Sequence, residues 1–185
     1  MDDPDRVLTL ESLPRIEMAR LTDLEEVGRS IEGKRGLDLL NSLKRERLDH
    51  GPYQGVTLFE AANRIMSDLV ILKGIRWLLE NKTFPLDAYT VEFGNENRNG
   101  FDITAEQCGK KLVGEAFNVA PSFYPVKRRH AAKKLEKDGK DADWRIILVN
   151  ADAFTKPIRL KHPSDVQHFA IDMVTNVGRR FLPFE

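Results

Sequence analysis

From Trp144 to Val149 the chain reads Trp-Arg-Ile-Ile-Leu-Val, an apolar stretch broken only by Arg145 and too short for a buried helix. A half-exposed strand alternates apolar and polar residues, so a run of this kind belongs to a strand covered on both faces. The rest of the fold must therefore supply a sheet around this strand and a layer of helix on each side of it.

The sequence offers both. From Thr57 to about Asn81, Leu58, Ala62, Ile65, Leu69 and Leu72 recur at helical spacing, broadened by Phe59, Met66, Val70 and Trp77. Thr57 with Glu60 three residues on reads as a capping box, and Glu60, Asn63, Arg64 and Ser67 form a narrower polar edge. The period then changes. Ala88–Phe93 predicts a strand, 95–100 a polar turn, Phe101–Glu106 a second strand and Lys111–Val119 a third. Pro125 suits the first turn of a helix running to about Asp138, stopped by Gly139. After the buried strand, Val166, Phe169, Ala170, Met173 and Val177 predict a last helix over 164–177. Residues 1–52 read as a helical N-terminal extension, with Leu21, Leu24, Val27 and Ile31 in one run and Leu37, Leu40 and Leu43 in another. Residues 53–185 form the expected α/β domain, a mixed sheet flanked by helices.

The turn between the second and third strands is centred on Cys108-Gly109. A two-residue or a four-residue loop gives one pairing: Glu106 faces Lys111, Thr104 faces Val113, and Asp102 faces Glu115. Two carboxylates opposed on an antiparallel pair repel. Stability alone does not place them there, whereas a divalent cation removes the conflict, since Mg²⁺ is held by one or two carboxylates plus water and phosphate oxygens. The alternative is that one acid points to solvent or pairs with Lys111, Lys127 or Arg128.

Charge is distributed to match. The chain is neutral overall, yet residues 109–137 hold eight bases against two acids, including Lys127, Arg128, Arg129, Lys133 and Lys134. A basic segment beside an acidic pair suits an enzyme acting on a polyanion, and it equally suits a solvated helix face. The single cysteine excludes an internal disulfide and any multi-cysteine zinc site. The acidic opening Met1–Asp5 lacks the apolar stretch of a signal peptide, and no apolar run approaches membrane-spanning length, so a cytoplasmic protein without membrane contact is expected. None of the four histidines shows paired ligand spacing, and His162 and His168 read as flanking the start of the last helix.

The order helix, three strands, helix, strand, with Gly100-Phe101-Asp102-Ile103-Thr104-Ala105-Glu106 and Leu112-Val113-Gly114-Glu115-Ala116-Phe117-Asn118 on the second and third strands, resembles the PD-(D/E)XK, or restriction-endonuclease-like, nuclease superfamily. The resemblance spans about residues 57–150 and implies a restriction-endonuclease-like mixed sheet. It implies that Asp102 and Glu115 bind Mg²⁺ or Mn²⁺, with Glu60 as a further, outer ligand in the manner of some branches. Glu60 also has a structural role as a capping residue. The family's lysine stands two residues beyond the third-strand acid, and here that place holds Phe117. Either a lysine from a neighbouring element, Lys127, takes its role alongside Asp102 and Glu115, or catalysis has been lost.

The functional expectation is a metal-dependent nuclease hydrolysing phosphodiester bonds, with DNA ahead of RNA as substrate. Lys127, Arg128, Arg129, Lys133 and Lys134 would contact the nucleic acid. The alternative is a non-catalytic nucleic-acid-binding or protein-interaction module on the same fold. The N-terminal helices offer a surface for a homodimer or a partner protein.

Overall fold

The computed structural model describes residues 4–94, 100–153 and 164–182. Its elements are β1 (Val7–Leu8), α1 (Leu13–Arg29), α2 (Gly36–Lys44), α3 (Leu58–Glu80), β2 (Tyr89–Val91), β3 (Ile103–Gln107), β4 (Lys110–Phe117), α4 (Tyr124–Asp138), β5 (Trp144–Asn150), β6 (Gln167–Ile171) and β7 (Gly178–Leu182). The strands form one mixed sheet in sequence order. β1 to β4 are antiparallel neighbours, β4-β5 and β5-β6 are parallel, and β7 returns antiparallel on β6.

β5 sits inside the sheet, and its apolar residues divide between two cores. Ile146 and Leu148 point to one side, into a cluster with Ile65, Leu72 and Ile75 of α3. Ile147 and Val149 point to the other, with Ala131 and Leu135 of α4. This is the double coverage that the apolar run demands. α4 is the crossover between the parallel strands β4 and β5, which no short turn could join.

α3 is wrapped by protein on nearly all sides. Leu69, Val70, Ile71 and Leu72 are all buried, because α3 lies across β4 to β7 while α1 and α2 pack on it from outside. Thr57 caps it, its hydroxyl accepting from the Glu60 N–H at 3.3 Å. The reciprocal half of the capping box is replaced by an ion pair of the Glu60 carboxylate with Arg64 at 2.5 Å.

The first fifty residues contain the two expected helices and something more. Val7 and Leu8 form an edge strand on β2, and Leu8, Leu13 and Ile16 are buried in the same cluster as α3 and the sheet. The core therefore runs across residue 52.

The expected helix over 164–177 is replaced by the strand β6 and a turn that leads into β7 at Gly178. His168, Phe169, Ala170 and Ile171 are all buried within β6. A short apolar run covered on both faces has no period of its own, so its spacing also fits a helix. Asp172 ends the strand, its carboxylate accepting from the N–H groups of Val174 and Thr175 at 2.9 Å. His168 is thus a core residue with its ring against Phe181, and burial pushes its pKa down to about 4. The expected turn over 95–100 falls, except for Gly100, outside the described residues, as do His162 and the acidic start Met1–Asp3.

The hairpin register is the one its turn implies: Gln107 pairs with Lys110, Glu106 with Lys111, Thr104 with Val113 and Ile103 with Gly114. Cys108 and Gly109 both have positive φ, +51° and +75°, as a two-residue type I′ turn requires. Cysteine is a poor residue for the first of these positions and asparagine a good one. Cys108→Asn is therefore expected to raise stability by roughly 0.5–1 kcal/mol, measured by denaturant unfolding. A loss of stability would mean that the turn has another geometry.

Candidate active site

β4 alternates between the two cores. Leu112 and Ala116 face α3, whereas Val113 and Phe117 face the α4 side, which by the two-residue period is also the side of Glu115. Asp102 lies one residue before β3. Its backbone is tied to β2, the carbonyl accepting from the Glu92 N–H at 2.9 Å, and its carboxylate accepts from the Ala116 N–H at 2.9 Å. The two carboxyl groups thus lie side by side at the end of the hairpin ladder.

They line a cleft of ≈ 320 Å³ between the N-terminal half of α3, the ends of β3 and β4, and the start of α4. Glu60, Asn63, Arg64 and Ser67, the polar edge of α3, form one wall, and Lys127 stands on the opposite one. Deeper in the wall are Asp68 and Glu92, both buried. Asp68 accepts from the Tyr53 hydroxyl and from the Gly94 N–H at 3.1 Å, and the Arg20 guanidinium lies 3.8 Å away. Burial nevertheless pushes the Asp68 pKa up to about 6.

The acidic pair is held uncomfortably. Burial, and then the charge of Asp102, push the Glu115 pKa up to about 7, against the pull of Lys134 and Lys127. Asp102 is also raised, chiefly by burial, while the Ala116 N–H, Lys134 and Lys127 pull it down and Glu92 adds to the rise. Desolvation is the largest effect on both groups, and the charge of its neighbour adds to it at Glu115. The opposed-pair reading of the hairpin found the right neighbours but put the smaller effect first.

α4 divides the expected basic residues. At 100° per residue, Phe123, Lys127, His130 and Lys134 share one flank of the helix, the one beside the carboxylates. Lys134 makes an ion pair with Glu115 at 2.7 Å, and its ammonium lies 5.5 Å from the centre of the Phe101 ring. Arg129 and Lys133 are exposed and turned away by well over a quarter of a revolution from Lys127. Arg128 is half-buried; its charge adds to the lowering that burial imposes on His168 and offsets part of the rise that burial imposes on Tyr124. Of the five expected nucleic-acid contacts, Lys127 lines the cleft and Lys134 is paired with Glu115, while Arg128, Arg129 and Lys133 lie on other faces of α4.

Phe117 is nearly fully buried, its ring 6.4 Å from that of Tyr124, so it fills the space beneath α4 and offers no polar group to the cleft. Glu60 lines the cleft at its rim with its carboxylate committed to Arg64.

Asp68, Glu92, Tyr53 and Arg20 were not singled out from sequence. Asp68 carries a signal, an acid directly before the apolar run Leu69–Leu72 and between Ile65 and Leu72 of the helix's apolar stripe. Glu92 follows Val91 where alternation sends a strand residue outward, and nothing local marks it as buried.

Among the described residues, no three histidine, cysteine or acidic side chains are grouped to enclose a metal ion. The donor set at the cleft is two adjacent carboxylates, all hard oxygen. This fits Mg²⁺ or Mn²⁺, which keep waters and take oxygens from a substrate, and does not fit zinc. No protein-family model matches the chain, and no curated protein sequence matches it.

The raised pKa of Glu115 has a consequence for stability. Its unfolded value is near 4.5 and its folded value about 7, so the protonated form is favoured by folding. The penalty is absent below the unfolded value, grows as pH rises to the folded value, and is complete above it. Glu115→Gln removes the titration and keeps the shape. The variant should match the wild type at pH 4 and be about 1–2 kcal/mol more stable at pH 8, in thermal melts without divalent metal. A variant destabilised at pH 8 would show that the Lys134 ion pair outweighs the cost of desolvation.

Proposed function

We propose that the chain is a metal-dependent nuclease of restriction-endonuclease-like architecture, hydrolysing phosphodiester bonds in nucleic acid, with DNA as the first substrate to test. The observation that carries this reading is the convergence of Asp102 and Glu115 on one sheet face, with Lys127 on the facing wall of an open cleft. The succession α3-β2-β3-β4-α4-β5, with one acid opening β3 and the other inside β4, supports it.

Asp102 and Glu115 would hold Mg²⁺ or Mn²⁺, which when bound supplies charge for the phosphate and acidifies a coordinated water. The chain's own residues do the rest. Ala116 fixes the Asp102 carboxylate by its N–H, so that the free oxygen is aimed without loss of rotamer freedom on binding. Lys127 brings a flexible ammonium to the place where a phosphate would lie, the role the family gives to a lysine on the third strand. Arg64, across the cleft, presents a guanidinium already oriented by Glu60. Lys134 keeps Glu115 neutralised while the cleft is empty of cations, and its side chain, about one-third exposed, has room to withdraw.

A second reading has one observation of its own. With Phe117 packed inside where the family has its lysine, and Lys134 paired with Glu115, the chain lacks the usual catalytic cation on β4, as a non-catalytic nucleic-acid-binding module would.

Supercoiled DNA, linear DNA and RNA should be incubated separately with the protein in Mg²⁺, Mn²⁺ or EDTA. The nuclease reading expects cleavage of at least one substrate with metal and none in EDTA. Asp102→Asn and Glu115→Gln should each lower the rate about 100-fold or more, and Lys127→Ala by roughly 100-fold. Salt-sensitive binding without cleavage, unchanged in Asp102→Asn, would support the second reading and overturn the first.

A further inference from the structure

The flank of α4 that carries Lys127 and Lys134 begins with an aromatic ring in water. Phe123 is 67 % exposed, and Val126 beside it is 51 % exposed. The ring makes no aromatic or cation contact among the described residues. Its backbone is nonetheless firmly placed. Phe123 donates its N–H to Ala120 O at 3.0 Å, and its carbonyl accepts from the Lys127 N–H at 3.1 Å, between Pro121 and Pro125. The turn holds the ring one helical step from Lys127, on the same side of α4 and outside the cleft mouth.

The surroundings select its occupant. Lys127, on the same flank as Phe123, is exposed and makes no ion pair among the described residues, and His130 is exposed beside it. A flat apolar face beside the exposed Lys127 ammonium matches a nucleobase attached to a phosphate, which needs stacking and charge at once. Within a duplex both faces of a base are already stacked, so a fixed ring on a helix end has nothing to stack on. An unpaired base offers a free face.

Resting on the nuclease reading, we infer that the cleft takes single-stranded nucleic acid, with Phe123 stacking on an unpaired base next to the phosphate that Lys127 contacts. The preset turn lowers the ordering cost of this contact, because the backbone that carries the ring is already placed before the strand arrives.

The test is equilibrium binding of a short fluorescent single strand and its matched duplex, with Ca²⁺ present to hold off cleavage. Wild type, Phe123→Ala, Phe123→Leu, Phe123→Trp and Lys127→Ala are compared, and thermal melts confirm that each is folded. The ratio of single-strand to duplex affinity should fall about tenfold in Phe123→Ala and Phe123→Leu and be kept in Phe123→Trp. Lys127→Ala should weaken both substrates together. An unchanged ratio in Phe123→Ala, or full retention in Phe123→Leu, overturns the stacking role and leaves the nuclease reading standing. Failure of every form, wild type included, to bind either strand at low salt overturns both.

Discussion

The arrangement of the site depends on one constraint, the register of the β3–β4 hairpin. A two-residue turn at Cys108-Gly109 fixes Gln107 against Lys110, and every later pairing follows to Ile103 against Gly114. One step further, Asp102 and Glu115 lie side by side. A slip of one residue would send Glu115 into the α3 core and bring Gly114 and Ala116 to the α4 face. The two cores make such a slip costly, because Leu112 and Ala116 are committed to one cluster and Phe117 to the other.

The same sheet explains why the acids are strained. They sit at the covered end of a strand pair, beneath α4 and beside α3, where water has limited access. Desolvation raises both, and Lys134 and Lys127 offset part of the cost from the neighbouring helix. A chain selected for stability alone would have an apolar pair or a single charge here. The compensation is cationic and comes from flexible side chains, which leaves the pair open to competition by a small cation.

Much of this was legible in the sequence because it is local. The turn residues, the two-residue alternation of β4 and the apolar run of β5 each carry a period or a dihedral requirement that reads directly. Pro125 marks the first turn of α4, from which Lys127 is expected to reach back in place of the family's lysine, and Lys127 lines the cleft. The misread segment is 164–177, where His168–Ile171 is covered on both faces and has no period to tell strand from helix. The β1 strand was missed for a related reason, since two residues are too few to show alternation. Lys134 was placed among phosphate contacts although it pairs with Glu115, because an ion pair between β4 and α4 depends on how the crossover packs. Asp68 and Glu92 are long-range burials of the same kind. The inner wall of the cleft is a tertiary product.

We propose that Asp102 and Glu115 together hold a divalent cation. A crystal soaked in Mn²⁺ and measured at the manganese absorption edge tests it most directly. One anomalous peak is expected about 2.1 Å from a carboxylate oxygen of each residue, with the Lys134 ammonium drawn away from Glu115. No peak between the two acids, with Lys134 still on Glu115, would contradict it.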